Sequence, residues 1–204
     1  AMLVALTVGV LVGALAGVGA AWTDHLLMRL TDLFLSLPGL PLLLLLIYLF
    51  RDALRGVFGP VVGIFLLIVV IIGGLRWMTV ARLLRASILA LREREFMVAA
   101  RAIGVPTSRQ VLRHLLPNSL GPVVVAATLA VGEAIIAEST LSFLGLGFPP
   151  DTPSWGRILS DGQQYLETAA YYPLFPGLLI FLAVLSVNYV GDGLRDAFDP
   201  RRVL

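Results

Sequence analysis

The sequence predicts an all-α membrane protein, one polytopic bundle of five membrane-crossing helices. Three observations lead there. Of the 204 residues, 58% are hydrophobic and only 14% are charged, with a mean hydropathy of +0.93; an ordinary soluble domain is about a quarter charged. Five apolar stretches are long enough to cross a bilayer core, which takes about 20 helical residues. The arginines between them fall mostly on one side. Hydrocarbon offers no hydrogen-bond partners, so spans of this length close their backbone bonds internally, as helices.

Composition also excludes some chemistry. There is no cysteine, so disulfides and thiolate metal sites are ruled out. Net charge is +2 and all fifteen basic residues are arginine. That balance is too weak for nucleic-acid binding. With no lysine and no Gly-x4-Gly-Lys-Ser/Thr phosphate loop, the sequence carries no P-loop nucleotide site.

The five stretches follow in order. Residues 1–20 carry no charge. Residues 33–50 have Pro38 and Pro41 near their start, where proline is best tolerated. Residues 56–75 end at Arg76. Residues 119–136 contain Glu133, and 168–191 are uncharged. Five spans place alternate loops on opposite sides. Twelve arginines (Arg29; Arg76, Arg82, Arg85, Arg92, Arg94, Arg101, Arg109 and Arg113; Arg195, Arg201 and Arg202) lie on one side, against Arg51, Arg55 and Arg157 on the other. The positive-inside rule then puts 76–118 and the C-terminus in the cytoplasm, with residue 1 outside. The chain opens on Ala1-Met2 and turns apolar at once, without the charged start of a signal peptide. It reads as a truncated or excised domain with a first helix missing, and 1–204 as a single transmembrane domain.

Two segments between spans carry more information. In the polar segment 83–118, residues 92–103 read as a helix rich in Ala, Glu and Arg. Gly104 supplies the left-handed residue that stops it. Pro106 cannot continue it, Thr107 or Ser108 caps a second helix to Leu116, and Pro117 closes that one. The product is a helical elbow at the membrane surface. Ala99 and Ala100 permit close approach of another surface, and Arg94, Glu95 and Arg101 suit rim ion pairs. A helix resting on lipid headgroups fits the same composition; the break at Gly104 favours docking. On the outer side, 139–167 is apolar but interrupted by glycine and proline, as in a re-entrant or interfacial segment.

The elbow resembles the EAA loop of bacterial ABC importer permeases, whose consensus is Glu-Ala-Ala, three residues, Gly, nine residues, Ile-x-Leu-Pro. Ala99, Ala100, Gly104, Leu116 and Pro117 match in identity and spacing. Val98 stands in place of the Glu and His114 in place of the Ile; Glu95, one turn earlier, is a nearby carboxylate. Two further blocks are similar to the C-type permease subunit of dipeptide, oligopeptide and nickel importers. One is Ala137-Glu138-Ser139-Thr140-Leu141-Ser142-Phe143-Leu144-Gly145-Leu146-Gly147 followed by Pro153-Ser154-Trp155-Gly156. The other is Asn188-Tyr189-Val190-Gly191-Asp192-Gly193-Leu194-Arg195-Asp196-Ala197-Phe198-Asp199-Pro200-Arg201. The resemblance runs from about residue 20 to residue 201 and implies a type I importer permease fold, with six spans in the full subunit. It also implies a second permease subunit, two ATPases that carry ATP and Mg and bind the elbows, and an extracytoplasmic solute-binding protein. This subunit would itself be no enzyme and hold no cofactor. Its coupling residues would be Glu95, Ala99, Ala100, Arg101, Gly104, His114, Leu116 and Pro117. The cargo, whether dipeptide, oligopeptide or nickel chelate, stays open.

Glu133 and Glu138 are the carboxylates within the spans. A carboxylate in a membrane helix is costly and marks function by default. At ~1.5 Å per residue from Leu120, Glu133 lies ~20 Å in. It faces the translocation path, hydrogen-bonds a helix of a partner subunit, or is a protonated, satisfied acid. The two acids are ~140° apart around the helix, so both cannot face the path squarely. Asn188, Asp192, Arg195 and Asp196 either brace the elbow or form a helix end stopped by Gly191, Gly193 and Pro200. Trp155, Tyr165, Tyr171 and Tyr172 suit interfacial anchoring. His25 and His114 share no metal-ligand spacing. Two other functions compete: a secondary transporter using Glu133 for proton coupling, marked by inverted repeats and broken helices, of which no inverted repeat is visible here, and a structural scaffold.

Overall fold

The computed structural model describes residues 1–198, and every regular element among them is helical. In chain order these are α1 (Met2–Val18), α2 (Ala21–Ser36), α3 (Gly39–Phe58), α4 (Pro60–Gly74), α5 (Trp77–Arg92), α6 (Glu95–Ala102) and α7 (Thr107–Gln110). A π-helical turn (Val111–Leu115) leads directly into α8 (Leu116–Phe143). The segment after α8 holds α9 (Trp155–Gly162) and a 3-10 turn, and α10 (Tyr171–Phe198) ends the described chain.

Three helical runs are long and apolar enough to cross a membrane: Pro60–Arg92, Thr107–Phe143 and Tyr171–Ala197. α2 and α3 reach the same length and hydropathy only when taken together, bent by 85° at a short break, as in a broken span or a re-entrant loop. α1, with 17 residues, is shorter, at the lower end of the ~17–25 residues a span takes. At ~1.5 Å per residue, the 33 residues of Pro60–Arg92 reach about 50 Å, against a hydrocarbon core of about 30 Å. One end of that run must stand beyond the membrane.

α1 packs along α5 through Gly9, Gly13 and Gly17, spaced every fourth residue. This spacing lets helices touch backbone to backbone. A Cβ on Gly9 would lie 2.6 Å from the Val80 Cβ, and one on Gly13 2.6 Å from the Ala81 carbonyl oxygen. Two apolar cores result. One joins α3, α4 and the far end of α8, through Leu43, Ile47, Ile64, Leu67 and Leu141. The other joins α5, α6, the π turn and the near end of α8, through Val80, Leu84, Ile88, Met97, Leu115 and Val123, with Val10 and Ala14 of α1 packed against it.

Several expected boundaries shift. Residues 33–50 are not one continuous span: the 85° bend falls at Leu37–Pro38, where the residue before a proline is pushed to extended backbone. The 56–75 span starts later, at Pro60, because Gly59 (φ +83°) breaks the chain ahead of it. Residues 77–92, counted as loop, are helix α5, and a break at Glu93–Arg94 separates it from the first elbow helix, α6. Pro106, rather than Thr107 or Ser108, occupies the N-cap of α7. Pro117 does not close a helix. It has no N–H to give the Arg113 carbonyl and its ring crowds that oxygen. The π turn just before it widens the helix, with the Leu116 N–H reaching back to Val111, and the run continues. Residues 139–143 belong to α8. Gly191 and Gly193 lie inside α10, and Gly191 is buried against Thr128 and Leu129. Asp199, Pro200, Arg201 and Arg202 lie outside the described residues.

Candidate functional site

The elbow is seated from within. α6 turns Met97 and Ala100 into the elbow-end core, 1% and 7% exposed. Phe96, Ala99 and Ile103, spaced by three and four residues, form an outward stripe, and Leu112 beyond the turn is also exposed. The two alanines therefore divide: Ala99 stays on the outer face, while Ala100 packs inward. Glu95 shares Ala99's face one turn earlier and is exposed.

Gly104 ends α6 at φ +77°. Its N–H donates to the Arg101 carbonyl and the Val105 N–H to the Ala100 carbonyl, both at 3.0 Å. This is a Schellman stop, which requires a left-handed residue at that place. Across the turn the Gln110 side chain donates to the Val105 carbonyl at 2.6 Å. In the π turn His114 is half-buried, and its carbonyl accepts from the Asn118 side chain at 2.6 Å. Leu116 is half-buried and Pro117 exposed in the first turn of α8.

Arg101, expected at the rim, turns back on its own scaffold. It donates to the carbonyls of Met97 (3.2 Å) and Arg92 (2.5 Å). Arg92 in turn donates to the Gly17 carbonyl at 2.9 Å. Arginine thus ties α6 to the last turn of α5, and α5 to the last turn of α1, where carbonyls lack helical partners. Two further arginines staple α5 to α2. Arg85 grips Asp24 with both nitrogens at 2.5 Å, and Arg82 meets Asp32 at 2.8 Å. The sequence reading counted both as loop charge and missed these partners. Every link in this set involves an arginine of α5 or α6.

The second feature is a cleft of about 480 Å³ inside the α2–α3 bend. Its walls include Phe34, Leu37 and Leu40 at the bend, Leu75 at the end of α4, and Ile136 on α8. Arg76, at the break between α4 and α5, pairs there with Glu133 of α8. The sequence did not suggest this partner for Glu133. The carboxylate meets an arginine of its own chain, 57 residues away. Both side chains remain about half exposed on the cleft wall, 40% and 54%.

Glu138 lines a different cleft of about 470 Å³ with Phe148, Thr152 and Trp155. It accepts from the Ser142 hydroxyl at 2.6 Å. The two acids thus address separate spaces. Trp155 opens α9, whose first turn is capped by Ser154 accepting from the Arg157 N–H at 3.2 Å. Tyr165 and Tyr172 meet edge to face at 5.5 Å. Asn188 and Gly191 of α10 lie against α8 at Gly132 and Thr128.

A polytopic helical bundle with a charged elbow seated on its core is the architecture of a transport permease. The profile of the family described as binding-protein-dependent transport system inner membrane component matches residues 9–203. This chain belongs to that family, a family of transport permease subunits, and is a multi-pass membrane protein. It is similar to the dipeptide transport system permease protein DppC of Alkalihalophilus pseudofirmus, 40% identical over 197 residues, covering 97% of this chain and 61% of that protein. It is also similar to the oligopeptide transport system permease protein OppC of Haemophilus influenzae, 38% identical over 198 residues, covering 97% and 60%. The chain thus spans about three-fifths of the length of these relatives. In fold it resembles a chain of the MetNI methionine ABC transporter in an inward-facing conformation. The TM-score is 0.71 at 21% identity, covering 97% of this chain and 89% of that one.

Proposed function

We propose that this chain is a membrane-spanning permease subunit of an ATP-driven, binding-protein-dependent importer of peptides, and that its elbow receives the motion of a cytoplasmic ATPase. The carrying observation is the seating of α6. Met97 fixes the elbow in a core shared with α5 and α8, while Phe96, Ala99 and Ile103 face outward. An exposed apolar stripe backed by a rigid core suits docking and force transfer. Relatives named for dipeptide and oligopeptide transport support the peptide cargo; nickel chelates remain a cargo to be tested beside them.

In this reading a second permease subunit completes the path, and two ATPases holding ATP and Mg bind the elbows. A solute-binding protein delivers cargo outside. The elbow, residues 93–118, and the end of α10 lie on the cytoplasmic side, and residue 1 outside, as the clustering of arginine near the elbow favours. The coupling set is Glu95, Ala99, Gly104 and the exposed apolar stripe, with Ala100, Arg101, His114, Leu116 and Pro117 holding its shape. Glu133 lines the path, and Glu138 the outer cleft.

Uptake of a labelled dipeptide into liposomes tests this. The full-length subunit would be reconstituted with its neighbouring permease, ATPases and binding protein. Uptake that requires ATP and persists without a proton gradient is expected. Uptake driven by the proton gradient alone, and abolished in Glu133→Gln, would establish a secondary transporter instead.

A further inference from the structure

We propose that the Arg76–Glu133 pair is a docking site for zwitterions. It opens for a solute carrying both a free ammonium and a free carboxylate, the first going to Glu133 and the second to Arg76. The inference rests on the reading that this chain conducts peptides, and it assigns to two of its residues the selection of peptide termini.

The cleft holds the chemistry for this. Its volume of about 480 Å³ falls within the ~300–1,000 Å³ of small-ligand sites. Arg76 and Glu133 are its only charged lining residues, and Thr140 its only hydroxyl. The Thr140 hydroxyl is already given to the Ile136 carbonyl at 2.8 Å. The remaining walls are aliphatic and aromatic, so they accept varied side chains without reading them.

The pair also differs from the staples near the elbow. Arg85 engages both oxygens of Asp24 with two nitrogens, and the two side chains are 31% and 21% exposed. Arg76 gives a single N–H, from Nη1, to Oε2 of Glu133, and both side chains face the cleft more openly. A planar guanidinium can bind a carboxylate with two parallel bonds. Half of that capacity is unused here.

Charge balance then sets the selectivity. Once the pair separates, the guanidinium and the carboxylate each need a new partner, and the rest of the cleft wall is almost wholly apolar. A neutral solute compensates neither, and a solute with one charged end compensates one. A peptide with both termini free replaces the broken contact with two new ones. The site therefore favours a charge pattern over a sequence, as a carrier of mixed peptides requires. Arg76 sits where α4 breaks and α5 begins, so the pair ties α8 to the junction of those helices.

The test is peptide binding to the assembled transporter in nanodiscs, without binding protein, so that the latter's selectivity does not enter. The probes are radiolabelled alanyl-phenylalanine, its N-acetyl form and its C-terminal amide. In the wild type the free dipeptide should bind about tenfold or more tighter than either blocked form, the effect of one charged hydrogen bond. Glu133→Gln should bind free and N-acetylated peptide equally, and Arg76→Gln free and amidated peptide equally. The exchange variant Arg76→Glu with Glu133→Arg restores a pair and should restore the preference for two free ends, which controls for folding. No binding of free dipeptide at millimolar concentration, or a preference unchanged in single variants that assemble, would overturn the proposal. ATP-driven uptake with binding protein present separates the two readings: if the wild type takes up dipeptide but shows no terminus preference, only this inference fails.

Discussion

The elbow end and the cleft end of this molecule use charge in opposite ways. At the elbow, arginines are consumed by structure: Arg92 and Arg101 hold helix-end carbonyls, and Arg82 and Arg85 clamp α2. Behind them Met97 and Leu115 close an apolar core. At the cleft, one arginine and one glutamate face a space of about 480 Å³ through a single hydrogen bond. The first arrangement resists local motion, so a push on α6 is passed to α1, α5 and α8. The second breaks and reforms at little cost to the rest of the fold. On the proposed reading, force entry and solute handling sit in separate cores, joined by the long helices α5 and α8.

The contrast predicts unequal responses to substitution. The largest belongs to Met97→Ala. It empties a site with 1% exposure and should cost about 2–5 kcal/mol, read as a lower detergent melting temperature and faster amide exchange in α6. Next is Gly13→Leu, whose added side chain meets the Ala81 carbonyl. Overpacking of about 1–3 kcal/mol is expected, and a disulfide engineered between α1 and α5 should form more slowly. Asp24→Asn leaves the Arg85 fork facing a neutral amide; about 1 kcal/mol is expected for this partly exposed pair, visible as earlier proteolysis at the α1–α2 turn. The smallest effect on stability is that of Ile103→Ser. At 81% exposure it should change stability by no more than about 0.5 kcal/mol, yet weaken co-purification of the ATPase. A large loss of stability in Ile103→Ser, or none in Met97→Ala, would break the comparison.

What the sequence reveals here is mostly local. Gly104 followed by Pro106 declares the helix stop because glycine's left-handed freedom and proline's missing N–H act within a few residues. Composition reveals the bundle because apolar length is additive. The Arg76–Glu133 pairing is invisible because its partners are 57 residues apart; no spacing rule links separate helices. Pro117 misleads because a stop and a π turn begin alike, and only the continuing apolar run of α8 decides between them. Two signals were present and unread. Gly9, Gly13 and Gly17 recur every four residues, the mark of a close helix interface. Pro38 marks the bend that shapes the cleft. Arg82 and Arg85 were counted for their sign, although Asp24 and Asp32, eight residues apart on α2, offered matching charge.

The account's central claim is that the elbow transmits motion, and Gly104 tests it most directly. No atom lies within 4 Å of a Cβ built on Gly104, so Gly104→Val acts only through its φ of +77°, at a cost of roughly 1–2 kcal/mol in the left-handed region. The measurement is ATP hydrolysis in liposomes by the assembled transporter, with and without loaded binding protein. Stimulation by the binding protein should be strong in the wild type and lost in Gly104→Val, with the mutant still inserted and co-purifying with its ATPases. Undiminished stimulation in the mutant would contradict the claim.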